Sequence, residues 1–170
     1  KFGYINSRGE IVIKPEYDEA GDFYDGMAPV INNGLKTFIN YKGIPVIAVK
    51  EDESRYFGEG YAVVKIDGKY GYLMSTGKPA LKPLYEDALS FNEGIATVKT
   101  GGKYGFINKK GKIIIKPAYD KASVFSEGVA AVKINGRWGY VNKKGVFVIK
   151  PSFSEAGDFS SGLAHVRKES

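Results

Sequence analysis

The sequence contains no cysteine, a single histidine and no long apolar run. Without thiols the chain cannot form a disulfide framework, a thiolate metal site or a cysteine nucleophile. One histidine argues against a histidine metal site or a Ser-His-Asp triad. No stretch approaches the roughly 20 apolar residues that a membrane-spanning helix requires, so we expect no membrane insertion. The lack of cysteine suits a secreted or cell-envelope location as well as the cytoplasm.

Glycine and aromatic residues are abundant, and they recur at a fixed interval. The 170 residues include 22 glycines and 14% aromatics, and many residue types return every 34 positions. The clearest series are Gly9, Gly43, Gly77, Gly111 and Gly145, and Phe23, Phe57, Phe91, Phe125 and Phe159. Five such periods account for the whole sequence, so we predict a single domain over 1–170. Its tandem units are 1–33, 34–67, 68–101, 102–135 and 136–170.

The pattern within each unit predicts β-strands rather than helices. Apolar and polar residues alternate, and glycines stand where they would weaken a helix. In the fourth unit we predict strand a over 103–107, strand b over 112–116 and strand c over 129–134. The segment Asn108–Gly111 has the residues of a type I turn with a glycine bulge, and Asn135-Gly136 has those of a type I′ hairpin.

The segment between strands b and c, residues 117–125, carries Tyr, Ala and Phe three residues apart. This spacing predicts a short helical or 3₁₀ turn that covers the core, following a strand b that ends at Pro117. Three strands per unit would reverse direction at every unit in a plain meander, so the segment must also lead the chain into another layer. We expect an all-β solenoid or superhelix of stacked hairpins, as part of a longer array. The alternative is a closed five-bladed ring in which Val166 pairs with Tyr4.

The fifth unit contains the run Gly136-Arg137-Trp138-Gly139-Tyr140-Val141-Asn142, followed by Lys150-Pro151-Ser152-Phe153. This pattern resembles the bacterial WG (KWG) repeat, and the third and fourth units match it with Tyr70 and Tyr104 in place of Trp. In the second unit the glycine, proline, aromatic and alanine of the pattern are replaced by Thr37, Val49, Glu51 and Ser54. The resemblance implies arrays of variable repeat number and a non-catalytic, interaction-type role, and it implies no defined ligand.

The repeated positions yield a predicted core and two candidate surfaces. The core set is Phe23, Phe57, Phe91, Phe125, Phe159, Tyr70, Tyr104, Trp138, Val64, Val98 and Val132. A basic row lies at one equivalent place on strand c, on the face opposite the valines: Lys65, Lys99, Lys133 and Arg167. This row is either a seat for an anionic polymer or a solvated face that discourages edge-to-edge pairing. The carboxylate cluster Glu51, Asp52 and Glu53 marks the divergent second unit as a specialised surface or a solvated loop.

We expect a non-catalytic scaffold that binds another macromolecule, foremost a protein, through a surface built from several units. A lectin-like role, binding a carbohydrate or a cell-envelope polymer, is the alternative, because aromatics in a row can stack on flat rings. A hydrolase using the carboxylate cluster is a third hypothesis. The net charge of +6 is a small basic excess with acids nearby, which argues against nucleic acid. We expect no cofactor and no metal.

Charge is spread unevenly along the sequence. Counted in 34-residue blocks from Lys1, the formal charge is −3, 0, +1, +5 and +3. Such a field could steer a charged partner towards one end of the array, or favour head-to-tail contacts. Drift among duplicated units would produce the same distribution.

Overall fold

The computed structural model describes residues 1–23, 26–48, 57–76 and 78–168. All the regular structure in these ranges is antiparallel β-sheet, and they contain no helix. The prediction of an all-β fold of tandem hairpins is therefore confirmed. The candidate carboxylates Glu51, Asp52 and Glu53 lie outside the described residues, as do Val49 and Ser54 of the divergent unit.

The described strands form six sheets, which follow one another along the chain. The first pairs β1 (Phe2–Ile5) with β2 (Ile11–Tyr17), and the second contains β3 (Glu19–Ala20), β4 (Met27–Asn32), β5 (Leu35–Asn40) and β6 (Pro45–Ala48). The third contains β7 (Phe57–Gly58), β8 (Tyr61–Ile66), β9 (Lys69–Met74) and β10 (Pro79–Tyr85). The fourth contains β11 (Asp87–Asn92), β12 (Ile95–Thr100), β13 (Lys103–Asn108) and β14 (Ile113–Tyr119). The fifth contains β15 (Lys121–Ala122), β16 (Val129–Ile134), β17 (Arg137–Asn142) and β18 (Phe147–Phe153), and the sixth pairs β19 (Glu155–Ala156) with β20 (Val166–Arg167).

Each four-stranded sheet crosses a boundary between repeats. Strand c of one repeat lies beside strand a of the next, as in β12 with β13 and β16 with β17. Strand b of the later repeat forms one edge of the sheet, and a strand that precedes strand c forms the other. A sheet is therefore completed only when two consecutive repeats are present, as is typical of repeat proteins, in which one repeat cannot bury its apolar face alone.

The turns form as the sequence predicts. Asn135 and Gly136 both have positive φ, at 50° and 78°, as a type I′ hairpin requires. In the turn between strands a and b, Gly111 has a φ of 75° and its N–H donates to the Asn108 carbonyl at 2.8 Å. The Asn108 side chain also accepts hydrogen bonds from the N–H groups of Lys110 and Lys112, both at 3.0 Å. The asparagine is therefore selected because its side chain holds the turn closed.

The prediction that strand b ends at Pro117 is wrong, because β14 continues through the proline to Tyr119. Phe106 lies opposite Ile115, but Tyr104 lies opposite Tyr119, so the intervening residues of β14 form a bulge. The bulge faces Gly105, where an added Cβ would be 2.6 Å from the Pro117 nitrogen. A proline is tolerated here because it lies on an edge strand at a bulge, where no ladder hydrogen bond is lost.

The predicted helical turn over 117–125 is wrong as well. The chain remains extended to Tyr119, bends at Asp120 and re-enters a sheet as β15. The Asp120 N–H donates to the Lys133 carbonyl at 2.8 Å, which ties the bend to strand c. The three-residue spacing does mark core residues, because Tyr119 and Phe125 are buried and Ala122 packs against the same cluster. Residues three apart in a straight strand face opposite sides, so the bend at Asp120 is needed to turn Ala122 inward as well. The segment also carries the chain from one sheet into the next, as an odd number of strands per repeat requires.

The chain divides into two compact units, Lys1–Val64 with Tyr72–Ala80 and Lys65–Gly71 with Leu81–Ser170. In the second unit an apolar cluster contains Ile95, Phe106, Ile115, Tyr119, Phe125, Ala130, Val132 and Val141. In the first unit another contains Ile13, Tyr17, Ala28, Val30 and Ile39. Both clusters draw on consecutive repeats, because the sheets that enclose them do so.

One aromatic contact recurs within individual repeats. The rings of Phe106 and Phe125 meet edge to face with centroids 4.9 Å apart, and those of Tyr140 and Phe159 do so at 5.0 Å. Tyr4 and Phe23 make the same contact in the first repeat, with their ring centroids 4.8 Å apart. The recurring phenylalanine therefore serves as the partner of the strand a aromatic, in the geometry that aromatic quadrupoles favour.

The closed ring is not formed by the described strands. In them β1 pairs with β2 alone and β20 with β19 alone, so Val166 does not pair with Tyr4. Val166 is 44% exposed, whereas its equivalents Val30, Val98 and Val132 are at most 1% exposed. This difference shows how much of the burial of strand c depends on strands a and b of a following repeat.

Candidate functional site

The basic row lies on the face of strand c that points away from the core. Lys99 and Lys133 follow the buried residues Val98 and Val132, so the alternation of a strand turns their side chains outward. Each of these two lysines has one cross-strand neighbour on the preceding strand of the sheet and another on strand a. Lys99 lies between Asp87 and Tyr104, and Lys133 lies between Lys121 and Trp138. Arg167 lies opposite Glu155, and their side chains form an ion pair at 2.9 Å.

The predicted core set divides between the interior and this outer face. Phe91, Phe125, Val64, Val98 and Val132 are buried. Phe23, Phe159, Tyr70, Tyr104 and Trp138 are half-buried, and the side chain of Phe57 lies outside the described residues. Tyr70, Tyr104 and Trp138 border the basic row and are partly accessible to a ligand.

The two tyrosines already interact with the lysines of the row. The Lys65 Nζ lies 5.0 Å from the centre of the Tyr70 ring, and the Lys99 Nζ lies 5.5 Å from that of Tyr104. Both distances fall within the range of a cation–π interaction. The Tyr104 hydroxyl donates to the Asp87 Oδ2 at 2.6 Å. The lysines therefore occupy one face of each tyrosine ring, which a stacking sugar would have to share.

A groove of about 360 Å³ lies on the outer face of the second compact unit, where the third, fourth and fifth repeats meet. It is lined by Asp87, Leu89, Lys99, Tyr104, Asp120, Lys121, Ala122 and Trp138. These residues come from successive repeats, and two pairs of them, Asp87 with Lys121 and Tyr104 with Trp138, occupy equivalent positions. A hollow of about 340 Å³ lies at the corresponding place in the first compact unit, and it is lined by Glu19, Pro29, Ile31 and Lys36 among others.

A carboxylate at each described bend between sheets, except the last, caps the nearby hairpin. The Asn33 N–H donates to Asp18 at 2.7 Å, the Gly101 N–H to Glu86 at 2.8 Å, and the Asn135 N–H to Asp120 at 3.1 Å. Lys103 also donates to Asp120. These bonds, the one from Lys103 foremost, hold the pKa of Asp120 below its usual value. Asp52 falls at the same place in the sequence period, although its own contacts lie outside the described residues.

Consecutive repeats are joined by a contact that the sequence did not predict, which we call the inter-repeat clasp. The Glu93 carboxylate accepts the Gly128 N–H at 3.1 Å, and the Glu127 carboxylate accepts the Gly162 N–H at 2.9 Å. Both glutamates have positive φ, 53° and 52°, in turns where asparagine or glycine is favoured. The sequence did carry a signal for this contact, because a glutamate precedes the recurring glycine in a turn whose positive φ disfavours glutamate.

The clasp at Glu93 has a third member. The Lys143 Nζ forms an ion pair with the Glu93 Oε2 at 2.9 Å. Burial alone would raise the pKa of Glu93, but the hydrogen bonds from Lys143 and from the Gly128 N–H outweigh it and lower the pKa below its usual value. The carboxylate is therefore held ionised as a structural contact between repeats.

Two classes of site do not occur in the part of the chain that the structure describes. No group of three or more His, Asp or Glu side chains is placed to hold a metal ion there. In the same ranges no helix is long and apolar enough to span a bilayer.

Tandem hairpin units whose contacts recur from one repeat to the next define a β-repeat protein. The family model of the WG containing repeat matches the chain five times, at residues 2–35, 37–70, 70–104, 104–138 and 138–170. The chain belongs to this family, which confirms the resemblance drawn from Trp138-Gly139 and its equivalents. No curated protein matches the sequence.

Proposed function

We propose that this repeat scaffold is non-catalytic and binds another protein along the outer face that carries the basic row. The groove beside Lys99 and Lys121 supports the proposal, because its lining comes from successive repeats and extends beyond a single hairpin. A partner that follows this face would meet equivalent positions of one repeat after another. Binding energy would then accumulate over several modest contacts rather than in one deep pocket.

The variation among the repeats supports the same surface. Inward positions keep one residue type, as in the series that includes Val98 and Val132. The outward position opposite the basic row changes from Asp87 to Lys121 to Glu155. Positions that are free of packing constraints can vary to suit a partner, so a scaffold acquires specificity there.

A lectin-like role has less support from the geometry. The Lys65 and Lys99 ammonium groups lie over the rings of Tyr70 and Tyr104. A sugar that stacks on those rings would compete with the lysines. The hydroxyl of Tyr104 is also committed to Asp87.

The test compares two charge-reversed variants of the whole chain. In the first, Lys65, Lys99, Lys133 and Arg167 are changed to Glu. In the second, which is the matched control, Lys14, Lys82, Lys116 and Lys150 are changed to Glu; these exposed residues lie at one equivalent place on strand b. Both variants change the formal charge equally, so a general electrostatic effect would appear in both.

The immobilised proteins are used to capture partners from a lysate of the organism that encodes the chain, followed by cross-linking and peptide mapping. We expect the wild type and the strand b variant to retain the same proteins, cross-linked at the outer face, and the row variant to lose them. Circular dichroism and thermal unfolding check that the row variant is folded. Equal capture by a folded row variant, or capture of glycans alone, would overturn the proposal.

A further inference from the structure

The fourth repeat departs from the charge pattern of the outer face. In the third and fifth repeats, the cation of the basic row has an acidic residue as its neighbour on the preceding strand of the sheet. Lys99 faces Asp87, and Arg167 faces Glu155. In the fourth repeat Lys133 faces Lys121 instead. Like charges directly opposite each other destabilise a sheet, so the substitution works against folding.

The described carboxylates near this lysine pair are hydrogen-bonded to other groups and form no ion pair with either lysine. Asp87 accepts the Tyr104 hydroxyl at 2.6 Å and the Ala88 N–H at 2.9 Å. Asp120 is close enough to Lys133 to feel its charge, but it accepts hydrogen bonds from Lys103 and from the Asn135 N–H. Among the described residues neither Lys121 nor Lys133 forms an ion pair.

The pair lies beside an aromatic side chain and in the most basic part of the sequence. Trp138 is the cross-strand neighbour of Lys133 on the side opposite Lys121, and Trp138 and Lys121 both line the groove. The 34-residue block that contains the pair, 103–136, has a formal charge of +5. Lys121 is exposed and Lys133 is half-buried, so a ligand on the outer face can reach both.

We propose that Lys121 and Lys133, with Trp138, form the subsite of the fourth repeat that receives a carboxylate side chain from an acidic segment of the protein partner. This inference rests on the proposed function and specifies the chemistry of the partner. A carboxylate placed between the two ammonium groups would supply the charge that Asp87 and Glu155 supply in the neighbouring repeats. The Trp138 ring would cover the apolar part of the bound side chain.

The groove favours an acidic polypeptide over a nucleic acid. Asp87 and Asp120 line the groove together with Lys121, and both are acidic. The phosphodiester backbone of a nucleic acid, with a negative charge at every nucleotide, would meet both carboxylates. A polypeptide can present one carboxylate to the lysine pair and neutral residues to Asp87 and Asp120.

The test uses the fluorescence of Trp138, the sole tryptophan of the sequence, with the whole chain at low ionic strength. The probe is an oligo-glutamate peptide, and oligothymidylate of equal charge is the comparison. We expect the peptide to change the Trp138 emission, to bind more tightly than the oligothymidylate, and to bind less tightly as salt is added. Tighter binding of oligothymidylate, or no response to the peptide, would overturn the inference.

The decisive variant is Lys121→Glu, which restores the acid–base pairing of the third and fifth repeats. We expect it to weaken peptide binding on the order of tenfold while raising the thermal midpoint, because repulsion is replaced by attraction. A merely structural role for Lys121 would not separate affinity from stability in this way. The control Lys116→Glu makes the same charge change in the same repeat, on exposed strand b, and should leave peptide affinity within about twofold.

The two proposals fail in different ways. Capture of the partner by the wild type and by Lys121→Glu alike, with loss only in the four-residue row variant, overturns the acidic subsite and leaves the binding face intact. Equal capture by all variants overturns both proposals.

Discussion

At the scale of single residues, the glycine that follows the half-buried aromatic of strand a has a steric role. Gly105 does not have a positive φ, yet an added Cβ would lie 2.6 Å from the Pro117 nitrogen and 2.7 Å from the Ile115 oxygen. Gly3, Gly71 and Gly139 meet the backbone of strand b in the same way. Because the obstructing atoms belong to the backbone, a change of side-chain rotamer cannot relieve the clash with an added Cβ.

We therefore expect Gly105→Ala to lower the free energy of unfolding by about 2 kcal/mol, through overpacking of the bulge. Urea denaturation followed by circular dichroism measures the change. The control is Gly101→Asn, at a turn position where the first and fourth repeats have Asn33 and Asn135 with φ of 50°. That variant should be no less stable than the wild type, and a comparable loss in both variants would contradict the steric explanation.

The second repeat provides a natural comparison for this residue. It has Thr37 where the other repeats have glycine, and Val49 where they have proline. Thr37 lies opposite Ala48 and Phe38 opposite Ile47, whereas Val49 lies outside the described residues. The glycine and the proline are therefore replaced together in this repeat, as we expect of two residues that meet across neighbouring strands.

At the scale of strands and turns, the sequence was sufficient wherever the deciding interactions are local. The type I′ turn at Asn135-Gly136 and the bulged turn at Asn108–Gly111 depend on residues within the turn. Strand c, which the alternation of residues 129–134 defines, was placed with the bounds that β16 has. The course of strand b past Pro117 was not predictable in this way, because it depends on the missing side chain of Gly105.

For a similar reason, the sequence predicts only part of the candidate site. The outward direction of Lys99 and Lys133 follows from the period of strand c. Their neighbours Asp87 and Lys121 belong to strands after the bend, and three-residue spacing gave the segment around Lys121 the pattern of a helix. The pairing of Lys121 with Lys133 becomes visible only when the bend at Asp120 is known.

The inter-repeat clasp joins two turns of neighbouring repeats, and it should make the free energy of unfolding depend on pH. The pKa of Glu93 is lowered from its ordinary value of 4.5. A carboxyl group whose pKa falls on folding stabilises the folded chain above its ordinary pKa, and this contribution is lost as the pH falls through the lowered value. The clasp should therefore be fully effective at neutral pH and weaken only in acid.

We expect Glu93→Gln to reduce the free energy of unfolding at neutral pH by roughly 1 kcal/mol. The amide can still accept the Gly128 N–H, but it loses the charge that holds Lys143. Denaturant titrations at a series of pH values should show the difference from the wild type shrinking below about pH 4.5. A difference that is independent of pH over this range would mean that the carboxylate charge does not stabilise the clasp.

At the scale of the whole molecule, the structural element is the sheet rather than the sequence repeat, and we expect the sheet to be the cooperative element as well. The fourth sheet begins in the third repeat at Asp87 and ends in the fourth repeat at Tyr119. Removing one full period in register should therefore leave complete sheets, because the incoming strand a is equivalent to the one that is lost. Removing one residue fewer within strand a should reverse which side chains face the core.

Deletion of residues 103–136 joins Gly102 to Arg137, so that β17 takes the place of β13 beside β12. We expect this chain to fold cooperatively, with a lower unfolding free energy because one pair of neighbouring repeats is lost. The control, deletion of 104–136, keeps the Gly101-Gly102 turn but places Lys103 ahead of Arg137, so that Tyr140 is shifted to the outer face. Thermal unfolding by calorimetry should show a sharp transition for the first chain and none for the second. Equal cooperativity in both would mean that the register of strand a against strand c does not define the fold.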